Sequence, residues 1–485
     1  MKKKKEERKK KESKPGSFYR FLSIVLIVVS IIALVMTNSL GILPLKFMLP
    51  LTIILILVDV VLIKFLLVRN HLRIVSSIIS IILIIVLCYV IIHEITTLNF
   101  FSKIGGMHYK IVNYEVVVLN DSSYDKLDDL KKEEIGLLNT TEKDYKEAIK
   151  ELEKKIKFDN KSFNDNDALR DNLIEGEIAA ILIEESTNNI LKEEDEEYKE
   201  KTKVIYSFEV KIEVEDISKK VDITKNPFSI YITGIDTYGS ISTASRSDVN
   251  IVVTVNPKTK KVMLTSIPRD YYVKLHSKKE HDKLTHAGIY GVEESVTTIE
   301  DLLNIDINYY VKVNFTSLID IVDSINGITV NSNYDFKTGV YDSNTRPYSF
   351  KKGKNELNGK EALAFSRERK AFNGGDRVRN ENQQLVLKAI ADKVLSPTIL
   401  TKYNSLLSSL EGAFVTNLDD SEITSFIKKQ LDENSDWDIS NYVLEGTDSS
   451  DYTYSYKSGK SYVMLPDLDS VNSAIDKINE VLNNE

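Results

Sequence analysis

Four arginines fall close together in one stretch of the chain: Arg367, Arg369, Arg377 and Arg379. The first two end an apolar run, and in a β-strand residues two apart point to the same face. A loop is predicted at 373–375, followed by Asp376 and the second pair of arginines. These precede an apolar-periodic segment, 385–395, which predicts a helix. The spacing therefore predicts a strand, a loop and a helix that bring the arginines to one corner.

This arginine cluster could bind an anion. Arginine is always charged, and its planar fork matches phosphate oxygens two at a time. A helix that begins at the same corner would add its positive end. A phosphate or pyrophosphate site follows from this pattern. An equally good alternative is a solvated surface cluster that pairs with Glu361, Glu368 and Glu381.

Two aspartates flank predicted strands and could hold a metal ion. A strand at 228–235 runs into Asp236, and a strand at 249–255 follows Asp248, with Arg246 between the two carboxylates. Carboxylate oxygens suit Mg²⁺, although aspartates beside strands are also common turn formers. A metal ion together with a cationic clamp is a common way to stabilise phosphoryl transfer.

The surrounding elements predict an α/β domain at 227–485. Further strands are expected at 261–267, 309–315 and 328–331, and helices at 292–303 and 318–325. Strands that lead directly into polar residues fit a mixed sheet, flanked by helices, whose functional groups lie at strand ends. The segment 396–485 is expected to be helical and turn-rich, with an amphipathic helix from Leu468.

A smaller soluble segment, 105–222, precedes this domain. Strands are predicted at 114–119, 178–183 and 204–214, and a helix at 140–156. The charged stretch 192–203 is expected to be a solvated face or loop. Because no catalytic constellation is visible here, a small α/β accessory or spacer domain is the prediction.

The N-terminal region predicts a membrane anchor. The tail 1–20 holds ten Lys or Arg against three Glu, and 21–93 contains apolar spans at 21–45, 45–68 and 74–92. The first span is too long for a signal peptide. Asp59 in the second span is expected to reach the headgroups near Lys64. Because the tail and the turn 69–73 are basic, both are expected in the cytoplasm. Three spans from an inside start would place everything after about His93 outside the cell.

Charge and cysteine content exclude some classes. The net charge of −8 combines +7 in the tail with −15 elsewhere, which does not suit a general nucleic-acid binder. Cys88 is the single cysteine, so the chain has no internal disulfide.

The ordered motifs of residues 227–395 resemble the LytR-CpsA-Psr family of cell-wall glycopolymer ligases. The matching pieces are GID at 234–236, RSD at 246–248, SIPRD at 266–270, KLTHA at 283–287, VDSINGI at 322–328, LNGKEAL at 357–363, SRER at 366–369 and GDRVR at 375–379, with Gln383 beyond. The three spans and the extra domain resemble the capsule-associated branch of the family.

The resemblance implies a specific reaction. Members of this family take a glycopolymer, such as a capsular polysaccharide or teichoic acid, from a polyprenyl-pyrophosphate carrier. They attach it to peptidoglycan through a phosphodiester, usually at the 6-hydroxyl of N-acetylmuramic acid. The lipid chain occupies an apolar tunnel in the α/β domain. Membrane lipid and polymer-synthesis proteins are further expected partners.

Site residues follow from the resemblance by position. Asp236 and Asp248 would bind Mg²⁺, while Arg269, Arg367 and Arg369 would also neutralise charge during catalysis. The expected pyrophosphate contacts are Arg246, Arg269, Lys283, Arg367, Arg369, Arg379 and Gln383. The chain has Lys283-Leu284-Thr285 where Lys-Ile-Asn is common, and Asn380-Glu381 where a small or basic pair is commoner. Neither departure removes a charged group assigned to chemistry.

The general base and three other functions remain open at this level. We hypothesise that Asp236 or Asp248 removes the proton of the attacking hydroxyl, because no histidine falls among the assigned residues. A non-catalytic receptor for polyprenyl phosphates would use the same arginines, and a pyrophosphatase would replace the sugar hydroxyl by water. Transcriptional regulation is disfavoured, because the basic tail has no helix-turn-helix pattern.

Overall fold

The computed structural model describes residues 16–68, 72–104, 109–235, 241, 243–339, 347–373, 375–394 and 413–483; side chains 101–104, 376 and 394 are excluded. These residues form two compact units, Met1–Ser102 with Asp420–Ser435, and Lys103–Asp419 with Asp436–Glu485. Asp236, most of the basic tail, the turn at 69–71 and the segment 395–412 lie outside the described residues. The predictions made for them are therefore not addressed by the structure.

The first unit contains three apolar helices, α1 (Ser17–Leu40), α2 (Leu45–Leu67) and α3 (Leu72–Ile104). Each is long and apolar enough to cross a membrane, with mean hydropathies of 2.6, 2.6 and 3.1. The three predicted spans are confirmed as helices. Asp59 is 9% exposed and lies on α2, which packs against α1. Its reach to the headgroups stays a prediction.

A helix from the C-terminal part of the chain belongs to this unit. Asp420–Glu433 groups with the apolar helices, although it falls inside the predicted range 227–485. Lys46 Nζ lies 3.2 Å from the Asp432 carboxylate, which is one contact that joins it to them.

The first sheet of the second unit is five-stranded, in the order β3-β2-β4-β1-β5. Its strands are β1 (Tyr109–Leu119), β2 (Glu134–Leu138), β3 (Asp159–Phe163), β4 (Ala180–Glu184) and β5 (Thr202–Glu213). Its helices are α4 (Lys143–Lys155), α5 (Asn166–Ile174), α6 (Glu185–Glu194) and α7 (Glu196–Lys201), with a 3₁₀ turn at Leu127–Leu130. The three predicted strands and the predicted helix are confirmed, whereas β2, β3, α5 and α6 were not foreseen. The stretch predicted as a solvated face or loop contains α7, an exposed helix held by Lys199–Glu196 and Lys201–Glu197 pairs.

The second sheet is six-stranded and mixed, in the order β16-β11-β6-β7-β8-β17. Its strands are β6 (Phe228–Ile235), β7 (Ser247–Asn256), β8 (Lys261–Ser266), β11 (Tyr309–Asn314), β16 (Phe414–Thr416) and β17 (Asp438–Val443). Strand β6 runs parallel to β11 and antiparallel to β7, so the end of β6 lies beside the start of β7. The predicted mixed α/β sheet is thus confirmed.

Smaller elements surround this sheet. They are β9 (Tyr272–Lys274), β10 (His281–Lys283), β12 (Ile328–Ser332), β13 (Phe336–Lys337), β14 (Ser349–Phe350), β15 (Gly353–Leu357), β18 (Gly446–Thr453), β19 (Tyr456–Pro466), α8 (Leu284–Ala287), α9 (Val292–Leu303), α10 (Phe315–Ser324), α11 (Gly359–Arg367), α12 (Gly375–Val394) and a final helix at Leu468–Asn483. The final helix is confirmed. The expectation of only helical and turn-rich structure beyond 396 is wrong, since β17 extends the sheet by pairing with β8.

Helices cover both faces of the six-stranded sheet. On one face, Tyr231 and Val252 share a buried core with Ile299 of α9 and Ile478 of the final helix. On the other side, α10, α11 and α12 form a second core, which contains Val322, Phe365 and Val386. Residues alternate along β6, so Ile232 and Gly234 face this second group of helices.

The prediction that a strand carries Arg367 is wrong, because the segment Gly359–Arg367 forms the helix α11. Asn358 caps it: Asn358 Oδ1 accepts a hydrogen bond from the Glu361 amide at 3.0 Å, and Glu361 Oε2 accepts one from the Asn358 amide at 2.9 Å. This reciprocal capping box satisfies amides at the helix start. The buried positions of α11, at 359, 362, 363, 365 and 366, follow a helical face instead of the period of two that a strand would give.

Close contact between α10 and α11 gives a test of this packing. A Cβ added at Gly359 would lie 2.3 Å from the carbonyl oxygen of Ile319, so the backbones would have to separate. We expect Gly359→Ala to lower the free energy of unfolding by about 1–3 kcal/mol. Gly339→Ala is the control, because nothing lies within 4 Å of its added Cβ. Equal melting temperatures for the two variants would contradict this account.

Candidate functional site

A cavity of about 280 Å³ lies between the six-stranded sheet and helices α10, α11 and α12. One group of its lining residues is polar or charged: Asp248, Arg269, Asn314, Ser366, Arg367, Arg369, Lys370, Arg379 and Gln383. The other group is apolar and includes Ile232, Val249, Ile251, Val313, Phe315, Leu318, Leu363, Val386, Leu387 and Ile390. The cavity therefore combines a cationic part with aliphatic walls.

Among the described residues that line the cavity, Asp248 is the one carboxylate. Two neighbouring side chains hold it by hydrogen bonds. Arg269 Nη1 lies 3.0 Å from each of its carboxylate oxygens, and Thr285 Oγ1 donates to Oδ1 at 3.2 Å. Burial raises the pKa of Asp248, but the charges of Arg269, Arg379 and Arg246 outweigh it and hold that pKa below its ordinary value. Asp248 is therefore ionised at neutral pH.

Arg367 and Arg369 reach the cavity from the end of α11. The Arg367 guanidinium lies over the Phe315 ring, 4.0 Å from its centroid. Glu368, between the two arginines, is fully buried and accepts hydrogen bonds from the amides of Gly339 at 2.7 Å and Ala371 at 2.9 Å. Glu368 thus holds the backbone from which both arginines project.

Arg379 and Gln383 reach the same cavity from α12. They are four residues apart, and with Val386, Leu387 and Ile390 they share one face of the helix. The next residue, Gln384, anchors α12 to the sheet: its Nε2 donates to Ser266 Oγ and to the Tyr442 carbonyl, both at 2.9 Å. The position of Arg379 on α12 therefore depends on the buried side-chain amide of Gln384, which ties the same helix to the sheet.

Three of the four arginines, Arg367, Arg369 and Arg379, line the cavity, which the surface-cluster alternative does not predict. Of the carboxylates it named, Glu361 caps α11 and Glu368 accepts hydrogen bonds from two backbone amides. Glu381 lies 3.6 Å from Arg377, which is exposed and is not among the cavity-lining residues. The alternative thus holds for Arg377.

Two predicted pyrophosphate contacts, Arg246 and Lys283, are not among the described residues that line the cavity. Arg246 forms a two-point ion pair with Glu193, and Lys283 Nζ lies 2.9 Å from Glu194 Oε1. Both glutamates belong to α6 of the accessory segment. The sequence analysis assigned no role to Glu193 or Glu194, because the cations with which they pair lie far away along the chain.

Of the two predicted metal ligands, Asp236 and Asp248, the structure describes only Asp248. Ile235, the residue before Asp236, ends β6 and lines the cavity, but Asp236 itself lies outside the described residues. Within the described ranges, no group of three or more His, Cys, Asp or Glu side chains could hold a metal ion.

Sequence reasoning missed several residues that shape the site. Phe315, Ser366 and Lys370 line the cavity, while Glu368 and Gln384 hold the elements that carry the arginines. Glu368 and Lys370 lie beside predicted site residues, which was the available signal. The cavity suits a molecule with a multiply charged anionic group joined to an apolar chain.

Comparisons with known proteins point to one family. The model of the LytR_cpsA_psr family matches residues 182–470. Polyisoprenyl-teichoic acid–peptidoglycan teichoic acid transferase TagU of Bacillus subtilis (strain 168) is 41% identical over 202 residues, which cover 41% of this chain and 63% of that protein. The protein of the same name in Enterococcus faecalis (strain ATCC 700802 / V583) is 38% identical over 207 residues, covering 41% of this chain and 66% of that protein.

A solved structure gives a further likeness. The crystal structure of B. subtilis TagV is 31% identical, with a TM-score of 0.45, and the match covers 54% of this chain and 99% of that one. The match to the two TagU relatives covers just under two thirds of the length of each of those proteins.

The charge balance at Asp248 gives a pH-dependent prediction. Because its pKa is lower in the folded chain than its unfolded value of about 3.9, Asp248 stabilises the fold above that pH. This contribution is lost as the pH falls through the lowered folded value. We expect Asp248→Asn to cost about 3 kcal/mol at pH 7, because Arg269 loses its carboxylate partner. The difference from wild type should shrink below about pH 4.

Denaturant unfolding between pH 7 and pH 3 would measure this effect. The matched control is Asp301→Asn, which removes an exposed carboxylate paired with His276 and should cost less than about 1 kcal/mol. A cost for Asp248→Asn that stays constant down to pH 3 would contradict the lowered pKa.

Proposed function

We propose that this chain, which belongs to the LytR_cpsA_psr family, transfers a glycopolymer from a polyprenyl-pyrophosphate carrier to peptidoglycan through a phosphodiester bond. The observation that carries the proposal is the composition of the cavity, in which cationic side chains adjoin aliphatic walls. The names of the two TagU relatives support the same donor and acceptor classes.

The cavity supports binding of both parts of such a donor. Arg269, Arg367, Arg369 and Arg379 would hold the pyrophosphate, because several guanidinium groups can share its charge. Gln383 adds an amide donor on the face of α12 that carries Arg379. Aliphatic side chains such as Leu363, Leu387 and Ile390 would cover the prenyl chain.

The reaction is a displacement at phosphorus. The acceptor sugar hydroxyl attacks the phosphorus that bears the glycopolymer, and the bond from this phosphorus to the bridging oxygen breaks. Polyprenyl monophosphate leaves with the bonding pair, while the hydroxyl proton passes to a base. Arg367 and Arg369 favour this step by neutralising charge that develops on the leaving phosphate.

The contacts of Asp248 favour a positioning role over proton removal. A carboxylate that accepts two hydrogen bonds from Arg269 and has a lowered pKa is a weak proton acceptor. Asp248 instead orients Arg269 and balances the positive charge around it. The role of Asp236 as the base stays a prediction.

The donor set at Asp248 also fits the proposed Mg²⁺. Two carboxylate oxygens offer about four lone pairs, and Arg269 and Thr285 use three of them, so one remains on Oδ2. Asp248, together with Asp236, would hold the ion. When bound, Mg²⁺ would neutralise phosphate charge beside the arginines.

The proposed location is outside the cell, with the three apolar helices in the membrane. The lysine-rich tail and the basic turn at 69–73 support a cytoplasmic N-terminus. An odd number of spans then leads to the outer face, where carrier lipid and cell wall are both within reach.

A transfer assay tests the proposal directly. The full chain would be incubated with a polyprenyl-pyrophosphate-linked oligosaccharide, Mg²⁺ and peptidoglycan fragments, followed by mass spectrometry. We expect sugar phosphate on the fragments, and at least about a hundredfold loss of rate in the Arg367→Ala/Arg369→Ala variant.

The control variant is Arg377→Ala/Lys388→Ala, which removes two exposed cations from α12 that do not line the cavity. It should retain the wild-type rate. Tight binding of the donor without turnover would indicate a receptor and refute the transferase proposal. Release of free phosphorylated polymer would indicate a pyrophosphatase.

Removal of divalent cations tests the metal proposal. We expect EDTA to abolish transfer and added Mg²⁺ to restore it, because Asp248 keeps an acceptor site for a cation. Asp248→Asn should raise the Mg²⁺ concentration for half-maximal rate at least about tenfold. Transfer that persists in EDTA would refute the need for the ion.

A further inference from the structure

The accessory segment meets the cavity domain through the last residues of α6. Glu193 and Glu194 end this helix and contact Arg246, just before β7, and Lys283, the last residue of β10. Arg246 Nη2 lies 2.9 Å from Glu193 Oε1, and its Nη1 contacts the other oxygen of the same carboxylate. The geometry is the two-point pairing that a guanidinium also makes with phosphate.

Both cations lie close along the chain to residues of the Asp248–Thr285 hydrogen bond. Arg246 is two residues before Asp248, and Lys283 is two residues before Thr285, while Asp248 and Thr285 are hydrogen-bonded to each other at 3.2 Å. The charge of Arg246 acts on the Asp248 carboxylate and lowers its pKa. A phosphate group held beside Asp248 would therefore be near both cations.

The position of the two glutamates runs against the usual charge preference of helices. A helix C-terminus carries partial negative charge and favours cations, whereas α6 ends with two carboxylates. Pairing with Arg246 and Lys283 offsets this cost. A local rule that is broken at a domain contact is a common mark of a functional role.

The backbone around this contact is held in several places, whereas the Glu193 side chain lies open to solvent. Ala244 donates its amide to the Ile111 carbonyl at 2.8 Å, and Tyr456 donates its hydroxyl to the Glu194 carbonyl at 3.4 Å. The Glu193 side chain, by contrast, is 57% exposed. It could turn towards solvent without displacing the accessory sheet.

We propose that Glu193 and Glu194 compete with the phosphate-bearing substrate for Arg246 and Lys283. In the substrate-free state the two carboxylates occupy the anion positions of these cations. When a pyrophosphate binds beside Asp248, the cations turn to it and the glutamates are released. The accessory segment thereby sets the affinity of the site for its anionic substrate; this inference rests on the proposed function.

Binding of a short polyprenyl pyrophosphate to the full chain in detergent, measured by calorimetry, tests the competition. We expect Glu193→Gln/Glu194→Gln to lower the Kd about tenfold, because the cations no longer have a carboxylate partner. The matched control is Glu196→Gln/Glu197→Gln, which makes the same charge change on α7, where the partners are Lys199 and Lys201. The control should keep the wild-type Kd.

A second background separates local competition from a general change in charge and from misfolding. In Arg246→Gln/Lys283→Gln, the same two glutamate substitutions should have no effect on the Kd, because there is no cation to release. A tenfold gain that persists there, or an equal gain in the α7 control, would overturn the proposal. So would an unchanged or higher Kd in Glu193→Gln/Glu194→Gln with an unaltered melting temperature.

The transfer assay distinguishes this failure from failure of the proposed function. Normal transfer with an unchanged Kd would refute the competition and leave the transferase intact. If neither wild type nor the glutamine variant binds the lipid or transfers sugar phosphate, both proposals fall.

Discussion

The ion pair between Asp248 and Arg269 is the interaction on which the site depends. Several guanidinium groups converge on one cavity, and without an anion between them their mutual repulsion would oppose the fold. Asp248 supplies that anion from the start of β7, beside the end of β6. Its ionised state follows from the charges of Arg269, Arg379 and Arg246. Its two hydrogen bonds in turn hold the Arg269 guanidinium at the cavity.

Buried polar side chains hold the helices that carry the other arginines. Glu368 binds two backbone amides and fixes the chain between Arg367 and Arg369, while Gln384 ties α12 to β8 and β17. Such groups are costly to bury unless they are hydrogen-bonded, so each has a well-defined orientation. The same helices leave the cavity between themselves and the sheet. Residues outside the cavity lining thus position the side chains that line it.

The accessory sheet is joined to this arrangement through charge. Arg246 and Lys283, which the resemblance assigned to pyrophosphate, are engaged by Glu193 and Glu194 of α6. A carboxylate and a phosphate present similar oxygens to a cation, so one can stand in for the other. The accessory segment therefore supplies carboxylate partners, from α6, to two cations of the neighbouring domain.

The sequence alone determined the elements whose signals are local. Alternating or continuous apolar runs identified β6, β7, β8 and β11, helical spacing identified α9, and length with hydropathy identified the three apolar helices. Motif residues such as Asp248, Arg269 and Arg379 lie together in the lining of one cavity. Their functional roles stay predictions. These inferences depend on side-chain type and spacing, which are properties of the chain before it folds.

Only the tertiary structure decided the rest. The short run before Arg367 fits a strand or a helix, and the Asn358 cap with packing on α10 selected the helix. Strand β17 has weak alternation, and its place in the sheet is defined by parallel pairing with β8. The cavity and the pairing of Arg246 with Glu193 join residues far apart in sequence, so no local pattern encodes them. Long-range contacts carry no signature in spacing, and they decide which of several locally acceptable conformations and partners is adopted.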